Sequence, residues 1–487
     1  MRLKDALPPG VAVPASAGDS DIRGITASSG NSGPGMIFAA LPGAKTDGAL
    51  YIPDAIARGV TAVIAGEGKA LDVVTDVPIL RVANPRRLLA QIAARLYAGQ
   101  PQIAVAVTGT SGKTSVADFT RQLFTALGRQ AASLGTIGLI KPGNAIYGSL
   151  TTPDPVTLHA TLSELAKEGI THLAFEASSH GLDQHRLDGV RLTAAAFTNL
   201  GRDHMDYHPT VEDYLQAKLR LFTELLEPGQ AAVVNADGAY AERVIEAARQ
   251  RGLKVLTVGA AGKDLRRVSL KNDGFAQLMQ IETAGKLYAV RLPLVGAYQV
   301  ENALTAAGLV IATGEDVAAV LTALETLHGV PGRLEIIGEA SGGLAIVDYA
   351  HKPEALAAAL DACRPFATGK LICIFGCGGD RDKGKRPIMG EISVSKADVT
   401  IVTDDNPRSE EPAAIRAEIL RGAKGAREIG DRAEAIRTAV GMMRKGDVVM
   451  VAGKGHETGQ IIKDRVIPFS DHEALRLALD EVRHRGA

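Results

Sequence analysis

The chain has 487 residues, 46% apolar and 22% charged, with a formal net charge of −1. That length exceeds one ordinary core and points to about three domains, while the balanced charge offers no broad basic field to nucleic acid or an anionic membrane surface. No apolar run approaches the ~20 residues of a membrane span, the start from Met1 to Ser20 lacks the apolar core of a signal peptide, and Cys363, Cys373 and Cys377 are too few for a disulfide framework; a cytoplasmic protein acting as a monomer is expected.

From about Gly24 to Val82 short apolar strands alternate with a helix-like stretch, Pro53 to Arg58, which predicts a small N-terminal α/β domain over residues 1–85. A basic, Ala-rich helix follows from Arg86 to Tyr97 and stops at Gly99-Gln100-Pro101. From Ile103 the pattern strand, glycine turn, helix repeats, the mark of a mostly parallel sheet with covering helices. This central P-loop ATPase-like domain spans 86–329. The turn Gly329-Val330-Pro331-Gly332 closes it, and strand–helix alternation resumes at Leu344 in a Rossmann-like C-terminal domain, 330–487. The fold class is α/β, in three domains. Polar clusters follow apolar strands ending at Val107, Phe175, Phe197, Val347, Phe375, Val402 and Val451. The carboxyl ends of parallel strands border the ligand crevice, and two such domains facing each other would suit a reaction that joins two substrates.

The strand Ile103 to Val107 runs into Thr108-Gly109-Thr110-Ser111-Gly112-Lys113-Thr114-Ser115 and then a helix to about Leu127. Glycines let backbone N–H groups curl around phosphate, and the helix N-terminus adds partial positive charge. Lys113 can reach the β- and γ-phosphates, and Thr114 can offer its hydroxyl to Mg²⁺. Val107 occupies the first glycine position of the general G-x-x-x-x-G-K-[ST] pattern, so the loop is a shortened one.

Thr151-Thr152-Pro153 and the run Glu176 to Arg186 present hydroxyls, an amide and a guanidinium. These suit an acceptor with carboxylates and phosphates, although hydroxyl-rich loops are also ordinary turns. Glu176 ends a strand, and His204 lies within Asn199-Leu200-Gly201-Arg202-Asp203-His204-Met205-Asp206-Tyr207-His208. Oxygen ligands and one imidazole beside a triphosphate suit Mg²⁺; His204 and His208, four apart, would by spacing alone also allow zinc. Thr210 can cap a helix from Val211 to Leu226 whose apolar residues surround Lys218. A buried unpaired ammonium is costly, so spacing alone favours a head group that snorkels to water.

In the last domain, Gly376-Cys377-Gly378-Gly379-Asp380-Arg381, Asp404-Asp405-Asn406-Pro407-Arg408 and Gly453-Lys454-Gly455-His456-Glu457 follow strands. Arg381 and Arg408 can each bind a carboxylate with two prongs, while Asp405 and Glu457 can accept from an ammonium. The alternative is a charged loop closed by internal salt bridges.

The shortened phosphate loop resembles that of the Mur ligase and folylpolyglutamate synthetase superfamily, and the resemblance runs over almost the whole chain. It implies ATP as co-substrate, held by Gly109, Thr110, Ser111, Gly112, Lys113, Thr114 and Ser115, with Asn302 at the adenine and Arg333 and Asp348 also at the nucleotide. It implies Mg²⁺ held by Thr114, Glu176, His204 and a carbamylated Lys218, and catalysis by Lys113, Glu176, His204 and Lys218. Thr151, Thr152, Ser178, Gln184 and Arg186 match the family's muramoyl-peptide site. Gly43 to Gly48 and Tyr51-Ile52-Pro53-Asp54-Ala55 match its uridine-nucleotide domain, which brings in Ser29, Ala44, Lys45 and Thr46. There the chain has Ser28-Ser29-Gly30 where family members usually show Asp-Ser-Arg.

Asp-Asn-Pro-Arg is the tetrad of the diaminopimelate-adding members. With the Gly453 to Glu457 run it implies that Arg381, Asp405, Asn406, Pro407, Arg408, Gly453 and Glu457 bind meso-diaminopimelate. The implied reaction joins that amino acid to the D-glutamate γ-carboxylate of UDP-N-acetylmuramoyl-L-alanyl-D-glutamate through an acyl phosphate, in peptidoglycan precursor synthesis. A lysine-adding or folylpolyglutamate-type ligase is the alternative within the class. Outside it stands a non-catalytic nucleotide-binding scaffold, against which Lys113, Glu176, His204 and Lys218 argue.

Overall fold

The structure, a computed structural model, describes all residues except 14–16, 44–45, 69–72, 147–149, 202, 206 and 486–487. Ala44 and Lys45 therefore lie outside the described residues. The chain divides into two units, Met1–Thr257 with Gly308–Glu315, and Val258–Ala307 with Asp316–Ala487. Among the described residues no helix is long and apolar enough to cross a membrane.

The first unit opens with a four-stranded parallel sheet, Gly24–Thr26, Met36–Ala39, Ala62–Gly66 and Ile79–Val82 in that order. The helix Pro85–Leu96 packs Leu88, Leu89, Ile92 and Ala93 into its core. Asn84 caps that helix, accepting from Arg87 N, and proline follows at the first helical position. The larger sheet places four parallel strands side by side: Ala194–Phe197, Ile103–Thr108, His172–Glu176 and Ala131–Gly135. Their residues are almost wholly buried, as expected of a sheet covered on both faces. All four carboxyl ends lie together, so Thr198, Gly109, Ser178 and Thr136 emerge along one edge.

The second unit repeats the device. Its main sheet runs Glu335–Ala340, Gly343–Asp348, Val448–Ala452, Leu371–Phe375, Val399–Val402 and Arg427–Glu428, parallel after the first antiparallel pair. Alternate residues feed two cores: Leu344, Ile346, Leu371, Cys373 and Met450 on one face, Val347, Ile372, Ile374, Val449 and Val451 on the other. The three cysteines are free and buried, and burial pushes the Cys373 and Cys377 thiols up to about 12. An antiparallel meander, Leu265–Asp273, Ala276–Thr283 and Lys286–Leu292, belongs to the same unit.

One expected helix differs in its ending. Thr210 and Asp213 form a reciprocal capping box, and the α-helix runs from Val211 to Arg220, but Leu221–Leu225 form a π-turn. Such wider turns frequently accompany functional sites, and this one begins three residues after Lys218.

Candidate functional site

Backbone geometry builds the phosphate loop. Gly112 has φ 87 and stands before the helix Lys113–Ala126 with no side-chain cap, so the first-turn N–H groups remain open to an anion. Gly109 has φ 150, and a Cβ there would lie 1.9 Å from Thr198 Oγ1. The residues after Phe197 brace the loop. Asn199 accepts from Thr110 N through its carbonyl at 2.9 Å and from Ser111 N through Oδ1 at 3.0 Å, and Thr198 Oγ1 donates to Ser111 O at 2.7 Å. Lys113 Nζ donates to Gly109 O and Thr110 O, both at 2.9 Å.

Beside the loop, Glu176 is buried. Its carboxylate accepts from Thr136 N at 2.7 Å and Thr136 Oγ1 at 3.2 Å. His204 has φ 55. Burial, then His180, Lys113 and Lys218 against the pull of Asp203, lowers its pKa from 6.5, which favours the neutral imidazole a metal requires. His180 packs against His204 and Tyr207 with ring centroids 4.9 and 4.0 Å away. Thr114 is buried at the start of the loop helix.

Lys218 does not snorkel. Its side chain is 1% exposed, its Nζ donates to Gly109 O at 2.8 Å and stands 4.2 Å over the Tyr214 ring. Burial first, and the charge of Lys113 second, push its pKa well below 10.5. Helix spacing placed the side chain correctly on the apolar face; the phosphate loop covering that face removes the route to water.

A cavity of about 470 Å³ in the same unit is lined by Thr26, Ser28, Arg86, Asp154, Gln184 and Arg186 among others. Gln184 Oε1 accepts from Arg186 Nη2 at 2.8 Å, and Arg186 Nη1 donates to Thr152 O at 2.6 Å. Other predicted acceptor residues are engaged within the protein. Thr152 Oγ1 donates to Glu176 O at 2.8 Å, Ser178 Oγ caps the helix Ser179–Asp183, and Thr151 Oγ1 meets Thr136 Oγ1 at 3.0 Å. In the N-terminal loop Ser28, not Ser29, lines the cavity; the Ser29 hydroxyl is spent on Asp54, holding that carboxyl below its ordinary range. Thr46 is exposed.

In the second unit Asn302 Nδ2 donates to Gln299 Oε1 at 2.9 Å, and Gln299 Nε2 donates to Arg333 O at 2.9 Å. Arg333 lies 4.9 Å over the Tyr349 ring. Asp348 is buried and accepts from Leu334 N and Ala350 N, each at 2.8 Å; burial raises its pKa against those bonds and the nearby Arg333 charge. The three expected nucleotide residues in this unit are thus tied to one neighbourhood.

A cavity of about 750 Å³ gathers Arg381, Asp405, Asn406, Arg408, Gly453 and Glu457, together with Tyr349, His351, Lys352 and Lys385, which sequence reasoning passed over. Pro407 is not on its wall; its carbonyl abuts Gly379, where a Cβ would lie 1.8 Å from it. Some neighbouring charges do close into internal pairs, Asp404 with Arg416 and Lys383 with Glu410. Arg381 is exposed, and none of the described residues pairs with it; the Arg408 guanidinium donates to the Gly379 and Asn406 carbonyls. Among the described residues neither guanidinium forms an ion pair with a carboxylate, and the same cavity carries the carboxylates of Asp405 and Glu457. That donor set fits a zwitterion with a second acid group. Lys454 and Arg386, both fully buried near this wall, were also missed; each stood in a charged run that reads as surface.

Three family models match: Mur ligase family, catalytic domain, over 21–97; Mur ligase middle domain over 107–310; and Mur ligase, glutamate ligase domain, over 332–455. The chain is 56% identical to a UDP-N-acetylmuramoyl-L-alanyl-D-glutamate–2,6-diaminopimelate ligase of Bradyrhizobium diazoefficiens, covering 98% of this chain and 99% of that one. It is 56% identical to the like-named ligase of Agrobacterium fabrum, over 96% and 94%. A solved structure of a ligase of the same name superposes with TM-score 0.75 at 33% identity, covering 99% of both chains.

Proposed function

This chain belongs to the Mur ligase family, and from that premise we propose that it is the ATP-dependent ligase that adds meso-2,6-diaminopimelate to UDP-N-acetylmuramoyl-L-alanyl-D-glutamate in peptidoglycan precursor synthesis. The observation that carries the substrate is the 750 Å³ cavity with Arg381, Arg408, Asp405 and Glu457 on its wall. Diaminopimelate presents two carboxylates and two ammonium groups, and a guanidinium bound to the distal carboxylate rejects lysine, which would leave that guanidinium unpaired. The enzyme is proposed to act in the cytoplasm as a monomer, in three domains over 1–85, 86–329 and 330–487.

The D-glutamate γ-carboxylate attacks the γ-phosphorus of ATP, ADP leaves, and an acyl phosphate forms. The amine of diaminopimelate then attacks the acyl carbon, and phosphate departs with the amide bond formed. The chain's part is positioning and electrostatics. The open N–H groups after Gly112 and the Lys113 ammonium hold the β- and γ-phosphates. Asn302, Arg333 and Asp348 hold the rest of the nucleotide. Arg186 and Gln184 orient the acceptor from the 470 Å³ cavity, with Thr151, Thr152 and Ser178 shaping the loops behind them and the Ser29 to Thr46 region taking the uridine end. Arg408 and Arg381 bind the carboxylates of the incoming amino acid, while Glu457 and Asp405 take an ammonium and Asn406, Pro407 and Gly453 shape the pocket.

Thr114, Glu176, His204 and Lys218 are the residues that would hold magnesium. Hydroxyl and carboxylate oxygens with a neutral imidazole fit a hard dication. Lys218 fits only as a carbamate, since an ammonium would repel the ion; its depressed pKa supplies the neutral amine that adds carbon dioxide. Magnesium supplies neutralisation of phosphate charge when bound. ADP release with precursor present, measured in parallel with diaminopimelate, lysine and glutamate, tests the reading: diaminopimelate should be preferred, and a preference for lysine or glutamate would overturn it.

A further inference from the structure

Beneath the amino-acid cavity lies a cation that no substrate can touch. The Lys454 side chain is 0% exposed, and its Nζ donates to Asn406 Oδ1 at 3.0 Å, Glu457 Oε2 at 2.9 Å and Gly459 O at 2.6 Å. An ammonium has three donors, and all three are used. Each acceptor controls a different piece of the wall.

Glu457 Oε2 also accepts from Asn406 Nδ2 at 2.8 Å, so two donors pin one carboxylate oxygen. The side chain is 33% exposed and lines the cavity, and none of the described residues hydrogen-bonds Oε1, which leaves that oxygen for a ligand's ammonium. Asn406 Oδ1 accepts a second bond from Ile461 N at 2.9 Å, which fixes the amide's orientation. Gly459 begins the hairpin strand Gly459–Ile462. That strand frames Arg408: Arg408 N donates to Ile461 O at 3.0 Å and Lys463 N donates to Arg408 O at 2.7 Å, holding Arg408 at φ 52. One buried ammonium thus ties together the carboxylate that meets an ammonium, the amide beside it, and the strand that sets the guanidinium.

We propose that Lys454 is the positioning residue of the amino-acid pocket, governing capture of diaminopimelate and leaving activation of the acceptor untouched. This rests on the reading of the cavity given above. A cation reaching the solvent face would compete with substrate for Glu457; one saturated from below sets Glu457 without occupying it.

The test begins with the unaltered enzyme, whose diaminopimelate-dependent ADP release checks the reading itself; its absence removes that reading and the proposal with it. Given that activity, Lys454→Met should raise KM for diaminopimelate at least tenfold while KM for ATP and for the precursor stays within twofold. Acyl phosphate formed without amino acid, trapped by hydroxylamine, should accumulate at the unaltered rate. A structural role would move all three constants together, and that result, or an unchanged KM for diaminopimelate, overturns the proposal. If Lys454→Met does not fold, Lys454→Gln is measured for the same split. If neither folds, Lys454 is a stability residue and the proposal falls.

Discussion

Lys113 and Lys218 donate to one oxygen, the carbonyl of Gly109, at 2.9 and 2.8 Å. Burial first, and then repulsion between two ammonium groups on a single acceptor, drop the proton affinity of Lys218 well below its ordinary value. The proposed carbamylation would resolve the conflict by turning the second cation into an anion. Protein kept in ¹³C-bicarbonate should show one carbamate carbonyl resonance that is lost in Lys218→Ala. Activity of that variant should fall about 10²–10³-fold, the scale of losing one charge-stabilising group. A resonance that persists in the variant would defeat the assignment.

Lys113→Ala should remove phosphoryl transfer, with kcat falling about 10³-fold. The loop keeps its bracing from Thr198 and Asn199, so the thermal midpoint should stay within a few degrees. ADP release at the unaltered rate would place the triphosphate elsewhere.

Much of this was legible from residue order because strands and their loops are local features. The glycine turn after Val107 and the charged loops after Phe375 and Val402 stand at the carboxyl ends of buried parallel strands. What was not legible depends on distant partners. Arg386 meets Glu410 and Glu418, 24 and 32 residues away, and Lys454 meets Asn406, 48 residues away; a lone charge in a polar run otherwise reads as solvated. Lys218 shows the same limit, since helical spacing gave its face but not the loop that covers it.

Arg408 sits at φ 52, a conformation asparagine tolerates better than alanine. Arg408→Asn therefore removes the guanidinium without added backbone strain. The ratio of kcat/KM for diaminopimelate over lysine should drop about 10²-fold, chiefly because the distal carboxylate loses its partner. An unchanged ratio would move carboxylate recognition to another residue.

Arg386 is fully buried and donates to Glu410 at 2.9 Å and Glu418 at 2.9 Å. Arg386→Met should cost about 3 kcal/mol in urea unfolding, the low end for stranding buried partners, since both carboxylates keep some solvent. The Arg386 hydrogen bond, foremost among its causes, holds Glu410 down at about 2 against an ordinary 4.5. A depressed carboxylate contributes stability that is present above 4.5 and lost as pH falls toward 2. Glu410→Gln should flatten the acid limb of the stability profile in that window; an identical limb would remove the pair from the acid response.

Gly135 was passed over in the sequence although it ends the strand Ala131–Gly135. A Cβ there would lie 2.2 Å from Glu176 Oε1, closer than any real contact. The backbone on the Gly135 side is a central strand and cannot retreat, so the carboxylate must move and give up its bonds from Thr136 N and Oγ1. Gly135→Ala should therefore act through Glu176, raising the magnesium concentration for half-maximal activity about 10- to 100-fold, the usual effect of disturbing the support behind a metal ligand. KM for diaminopimelate should be unchanged at saturating magnesium, because Glu176 and the amino-acid pocket stand on different sheets. A variant that melts normally yet keeps the unaltered magnesium dependence would show that Glu176 holds Thr136 in place and does not hold the ion.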